Sequence, residues 1–213
     1  MKWFYGKLTI FLLSALLLSS CGIAYSRIGG AGAVTPESAA ITAVIVQQGG
    51  NFTLDQNSIQ VLQTQQLAEN YALVQIAYQG FQQAQQVQCL STHAALSSQG
   101  GWRITGGASG CVPAGQDSGS PLDVSQNSNS GGGASSDPGN TAVDGFVNDA
   151  RIKTVSVTWQ DGQVQQVSVV NGAYLAGRLG KQAAFQTIQG LDENGVVIYT
   201  FDQSPPAPGK TSP

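Results

Sequence analysis

Apolar and polar positions alternate in two stretches of the chain, with a polar segment between them. Near the start of the first stretch, Thr35-Pro36-Glu37-Ser38 reads as a helix N-terminus. Thr35 suits the N-cap, Pro36 the first helical position, and Glu37 faces the positive end of the helix dipole. Ile41, Val44, Ile45 and Gln48 follow on one face at helical spacing, and Gly49-Gly50 ends the element. The β-branched run from Ile41 to Val46 argues for a strand instead. Four strands are then predicted. Ile59 and Val61 open the first, which runs to Leu67; after a turn at Glu69-Asn70, Ala72, Val74, Ile76 and Tyr78 alternate through the second. Val87, Cys89, Ser91 and His93 share one face of the third, and Trp102 and Ile104 one face of the fourth. Residues 35–113 thus read as an α+β module, one helix and an antiparallel meander.

Residues 114–141 are dominated by Gly, Ser, Asn and Asp and offer almost nothing apolar to bury, so they read as a flexible linker. A second β-rich stretch, 142–202, reads as a small antiparallel, sandwich-like module, which makes the fold class mainly β. Val155, Val157 and Trp159 alternate with hydroxyl residues, and Asp161-Gly162 forms a two-residue hairpin turn. The returning strand carries Val164 and then Val167 and Val169, a change of parity that predicts a β-bulge at Gln165-Gln166. Turns follow at Asn171-Gly172 and at Asp192-Glu193-Asn194-Gly195, and Val196 to Phe201 closes the sheet. The proline-rich tail, 203–213, is expected to be disordered.

The first 20 residues belong to neither module. Lys2 and Lys7 precede an uncharged apolar run, Leu8 to Leu18, and the small residues Ser19 and Ser20 lead into Cys21. That order marks a secretory signal, and the run is short of the roughly 20 residues a bilayer span needs. Leu18-Ser19-Ser20-Cys21 resembles the lipobox of bacterial lipoproteins at all four positions. The resemblance implies cleavage before Cys21, diacylation of its sulfur and a lipid-anchored, exported protein tethered by residues 21–34. Two or three acyl chains anchor durably where one does so only marginally. In Gram-negative members an Asp after the cysteine signals inner-membrane retention; Gly22 stands there, which implies the outer membrane for such a source. The alternative is an ordinary secretory signal with an incidental thiol.

Cys89 and Cys111 remain, an even pair in an oxidising compartment, and a disulfide between them is expected. Closing that loop restricts the unfolded chain by about 3 kcal/mol. The formal charge of −3 becomes −5 once Lys2 and Lys7 leave with the leader, and only 10% of residues are charged. Such a surface offers no positive field for phosphates, so nucleic acid is not an expected partner; the membrane is, together with an envelope protein or a glycan.

Candidate chemistry is sparse. Gln116-Asp117-Ser118-Gly119-Ser120-Pro121 resembles the nucleophile loop of trypsin-like proteases, and His93 lies upstream. Gln116 and Ser120 depart from that motif, and the only carboxylate between His93 and Ser118 is Asp117 inside the motif itself, so no third group orients a base. One histidine is too few for a zinc site, and Asp192-Glu193-Asn194-Gly195 is explained as a turn before it is read as a calcium loop. Trp102, Trp159, Tyr174 and Tyr199 are read as core rather than as a sugar platform. Gly106-Gly107-Ala108-Ser109-Gly110 precedes no helix signal, so a phosphate cradle is not expected. No cofactor, metal site or catalytic residue is assigned. The expected role is a non-catalytic binding, assembly or structural one in the envelope. The alternative is a surface hydrolase acting on cell-wall glycan through Asp or Glu residues.

Overall fold

Thr35 does cap a helix. Its Oγ1 accepts the backbone N–H of Ser38 at 3.2 Å, and α1 runs Pro36–Val46. Small residues Ala39, Ala40 and Ala43 are buried with Val44, so the helix sits close on what lies beneath it, while Ile45, expected on the buried face, is exposed. The structure is a computed structural model that describes residues 32–46, 51–116, 119–130, 137–180 and 184–203. The leader, Cys21, most of the tether and residues 204–213 lie outside the described residues.

The first sheet is the expected meander: β1 (Phe52–Ala68), β2 (Tyr71–Gln82), β3 (Gln85–Ser98) and β4 (Gly101–Pro113), in that order and antiparallel. Strand β1 begins well before Ile59. Asp55-Gln56-Asn57-Ser58 has the composition of a turn but forms a bulge inside the strand, where pairing passes from Asp55↔Gln79 to Gln60↔Ala77. Asp55 Oδ1 accepts Asn57 N–H at 3.0 Å and Ser58 Oγ donates to the Asp55 carbonyl at 2.6 Å, so the extra residues are held locally.

Period-two alternation gives this sheet two working faces. Val74, Ile76 and Tyr78 of β2 with Val87 and Cys89 of β3 pack under Ala40 and Val44 of α1. Tyr71 and Leu73 of β2 with Ala94 and Leu96 of β3 pack the other way, against Ala142 and Leu175. Those last two belong to a second sheet, in the order β5 (Ser125–Asn129), β6 (Asn140–Phe146), β9 (Ala173–Leu179). The third sheet has the order β11 (Val197–Asp202), β10 (Phe185–Leu191), β7 (Thr154–Trp159), β8 (Val164–Ser168). Val143, Tyr174 and Ala176 of the second sheet meet Val155, Val157, Trp159 and Ile188 of the third. The layers are therefore helix, sheet, sheet, sheet, and the middle sheet is buried on both sides.

Three expectations need correction. Residues 125–129, assigned to a flexible linker, form β5. The strand needs no apolar residue because its partly buried side chains meet polar groups: Asn127 Nδ2 donates to Asp144 Oδ1 at 3.2 Å and Asn129 Nδ2 to Thr105 Oγ1 at 3.3 Å. Ala33, assigned to the tether, pairs with Trp102 at the start of β4. No bulge occurs at Gln165-Gln166, since β7 and β8 pair regularly from Thr154↔Ser168 to Thr158↔Val164. The extra residue sits in the turn instead, a three-residue loop over 160–162 with Gly162 at φ +80° and Trp159 N–H donating to the Gln163 carbonyl at 2.9 Å. Val164 then faces outward, 60% exposed.

Candidate functional site

Cys89 and Cys111 are register partners in β3 and β4, with their sulfurs bonded at 2.04 Å. The expected bridge thus joins two neighbouring strands of the first sheet. His93 is fully buried on the helix-facing side of β3, its Nε2 3.0 Å from Ser91 Oγ, and burial pulls its pKa down to about 4. Asp117 and Ser118 of the protease-like string lie outside the described residues. Of the rest, Ser120 Oγ donates to the Leu122 carbonyl at 2.8 Å.

The other candidates are structural. Asp192 Oδ1 accepts the backbone N–H groups of Asn194 and Val196, both at 2.8 Å, which holds the segment as a turn. Among the described residues no three His, Cys, Asp or Glu side chains converge on a metal position. Trp159 and Tyr174 are core, whereas Trp102 and Tyr199, also expected there, are only half-buried; Arg178 lies 5.5 Å from the Trp159 ring centroid. A Cβ on Gly106 would sit 2.8 Å from Asn129 Nδ2, so that glycine serves the approach of β5 to β4.

A polar network ties the first sheet to the second. Gln63 Nε2 donates to Gln75 Oε1 at 2.7 Å, and Gln75 Nε2 to the Tyr174 carbonyl at 2.8 Å. Tyr71 OH donates to Asn140 Oδ1 at 2.9 Å, and Thr92 Oγ1 to Asp144 Oδ2 at 2.9 Å. Desolvation pushes the Asp144 carboxyl up to about 6, against the hydrogen bonds from Thr92 and Asn127. These groups are sealed between sheets, where each satisfies another.

The sequence reading missed an open cleft of about 240 Å³ where the far end of β3 and β4 meets the second sheet. One wall is Gln88, Val112 and Pro113, continuing into Gly115 and Gln116. The other is Asp123, Phe146, Val147 and Asn148, closed by the turn at Asn171-Gly172. Backbone bonds fix that second wall: Asp123 N–H to the Phe146 carbonyl at 2.9 Å, Asn148 N–H to Pro121 at 2.9 Å, and Val147 N–H to Gly172 at 2.8 Å. Asn171 and Gly172 both adopt positive φ, 49° and 74°, as the predicted tight turn requires. No signal at a single position marks this site, because its walls come from segments spread between Gln88 and Gly172 whose contact depends on how the sheets stack.

The comparisons give no relative: no protein-family model, no curated protein and no solved structure matches the chain.

Proposed function

We propose that the protein is a lipid-anchored component of a bacterial cell envelope whose folded body binds or assembles with other envelope material. The observation that carries this reading is the order of the leader: basic residues, an apolar run, then Leu18-Ser19-Ser20-Cys21. Pairing of the other two cysteines suits an oxidising compartment outside the cytoplasm. A binding role rather than hydrolysis is supported by the disposition of titratable groups. Glycan hydrolysis needs two carboxyl groups about 5–9.5 Å apart across one cleft. Among the described residues the cleft at the β3–β4 end is lined by one carboxylate, Asp123, while Asp144 and His93 are buried in the interior.

Growth in an inhibitor of the lipoprotein signal peptidase tests the anchor. The precursor is expected to accumulate with reduced mobility, and unchanged mobility overturns the assignment. Glycan turnover by the purified protein that disappears in Asp123→Asn overturns the binding role.

A further inference from the structure

We propose that the cleft between the β3–β4 end and the Asn171-Gly172 turn is a binding site for a neutral saccharide, presented at the end of the fold remote from the anchor. The proposal rests on the envelope-lipoprotein reading for its orientation and source of ligand, but its chemistry comes from the cleft alone.

The half-buried part of the lining is largely apolar: Val112, Pro113, Phe146 and Val147. Around it stand the exposed amides of Gln88, Gln116 and Asn171, while the Asn148 amide donates to the Ser120 carbonyl at 2.9 Å and helps hold the wall. A primary amide carries donors and an acceptor side by side, which is what neighbouring hydroxyl groups on a ring present in return. The four half-buried side chains give a small apolar patch, with Phe146 as its aromatic member, within a lining whose accessible surface is mostly polar, a mixture that suits a sugar ring. Among the described lining residues there is no Lys or Arg, and Asp123 contributes a carboxylate, so the local field disfavours an anionic ligand. The volume is below the about 300–1,000 Å³ of pockets for drug-sized ligands, which suits a ring-sized unit.

The cleft is also preorganised. Gln88 and Val112 are register partners directly beside the Cys89–Cys111 bridge, so the disulfide clamps the wall that carries them. A wall fixed before binding spares the ligand the cost of ordering it. Orientation follows from where the chain enters the fold. Ala33 pairs with Trp102 at the opposite end of β4 from Val112. Ten residues of strand at about 3.3 Å each place the cleft about 33 Å from that entry point.

The test is a titration of the detergent-solubilised mature protein, read by NMR at the side-chain amides. The neutral probes are chitotriose and maltotriose; a glucuronate oligosaccharide and trialanine serve as the anionic and peptide comparisons. At least one neutral sugar is expected to shift the Gln88, Gln116 and Asn171 amides at millimolar concentration, and Gln88→Leu or Gln116→Ala to weaken it about three- to tenfold. Gln116→Ala lies on an exposed turn, so it reports binding even where Gln88→Leu perturbs β3. Silence of these amides towards both neutral sugars, unchanged affinity in Gln116→Ala and Gln88→Leu, or tighter binding of trialanine or the glucuronate overturns the proposal. No membrane enters the titration, so its failure speaks against the cleft alone, whereas an unacylated Cys21 speaks against the envelope reading alone.

Discussion

Thr92 and His93 point to opposite faces of β3, and each face hides a group that titrates in the acid range: His93 itself under α1, and Asp144 against Thr92. Their pH effects oppose each other. The buried imidazole has a folded pKa near 4 against 6.5 unfolded, so its contribution is present above 6.5 and fades as pH falls towards 4. Asp144 has a folded pKa near 6 against 3.8, so its contribution is present below 3.8 and fades as pH rises towards 6. Each amounts to on the order of 3 kcal/mol, and between pH 4 and 6 the two slopes offset. Melting of Asp144→Asn is therefore expected to rise steadily from pH 4 to 6.5, and melting of His93→Gln to fall from pH 4 to 6. Parallel profiles in the two variants would rule this out. Glycine offers a second test at this scale. A Cβ on Gly145 would stand 2.1 Å from the Asp123 carbonyl oxygen, a backbone atom that cannot swing aside, whereas Gly110 faces open space. Urea denaturation is expected to show Gly145→Ala destabilised by about 1–3 kcal/mol or more and Gly110→Ala nearly unchanged.

The elements were legible wherever one residue type served one purpose. Thr35-Pro36 marked the helix start, Val74-Ile76-Tyr78 the strand beneath the helix, and Asn171-Gly172 a turn, because capping, alternation and positive φ each leave a local signature. The failures share a cause. Asp55-Gln56-Asn57-Ser58 and Ser125 to Asn129 are polar, so the first strand was begun only at Ile59 and 125–129 was read as linker, but one run is a bulge inside the strand and the other a strand docked on a buried carboxylate. The cleft fell outside any such reading, since Gln88 and Asn171 carry no pattern that links them. The hairpin of β7 and β8 adds a check on the three-residue turn. Replacing Gly162, at φ +80°, by Ala is expected to lower stability by about 1 kcal/mol, read as a shift in the urea midpoint. No loss would mean that the turn adopts another geometry.

At the scale of the whole molecule, the two patterned stretches of sequence are not beads on a string. The first sheet lies between α1 and the second sheet, and the polar bonds of Gln75, Tyr71 and Thr92 cross that seam. The disulfide staples the outer strand pair of the stack, and its removal in Cys89→Ser/Cys111→Ser is expected to lower stability by about 3 kcal/mol in calorimetry. The proposed anchorage outside the cytoplasm would link the leader and the bridge to an envelope ligand. Intact-mass spectrometry of the protein extracted from envelopes reads both at once. It should find a chain beginning at Cys21 with two or three acyl groups, and Cys89 and Cys111 closed to alkylation until reduced. A retained leader, or a bare sulfur on Cys21, would contradict it.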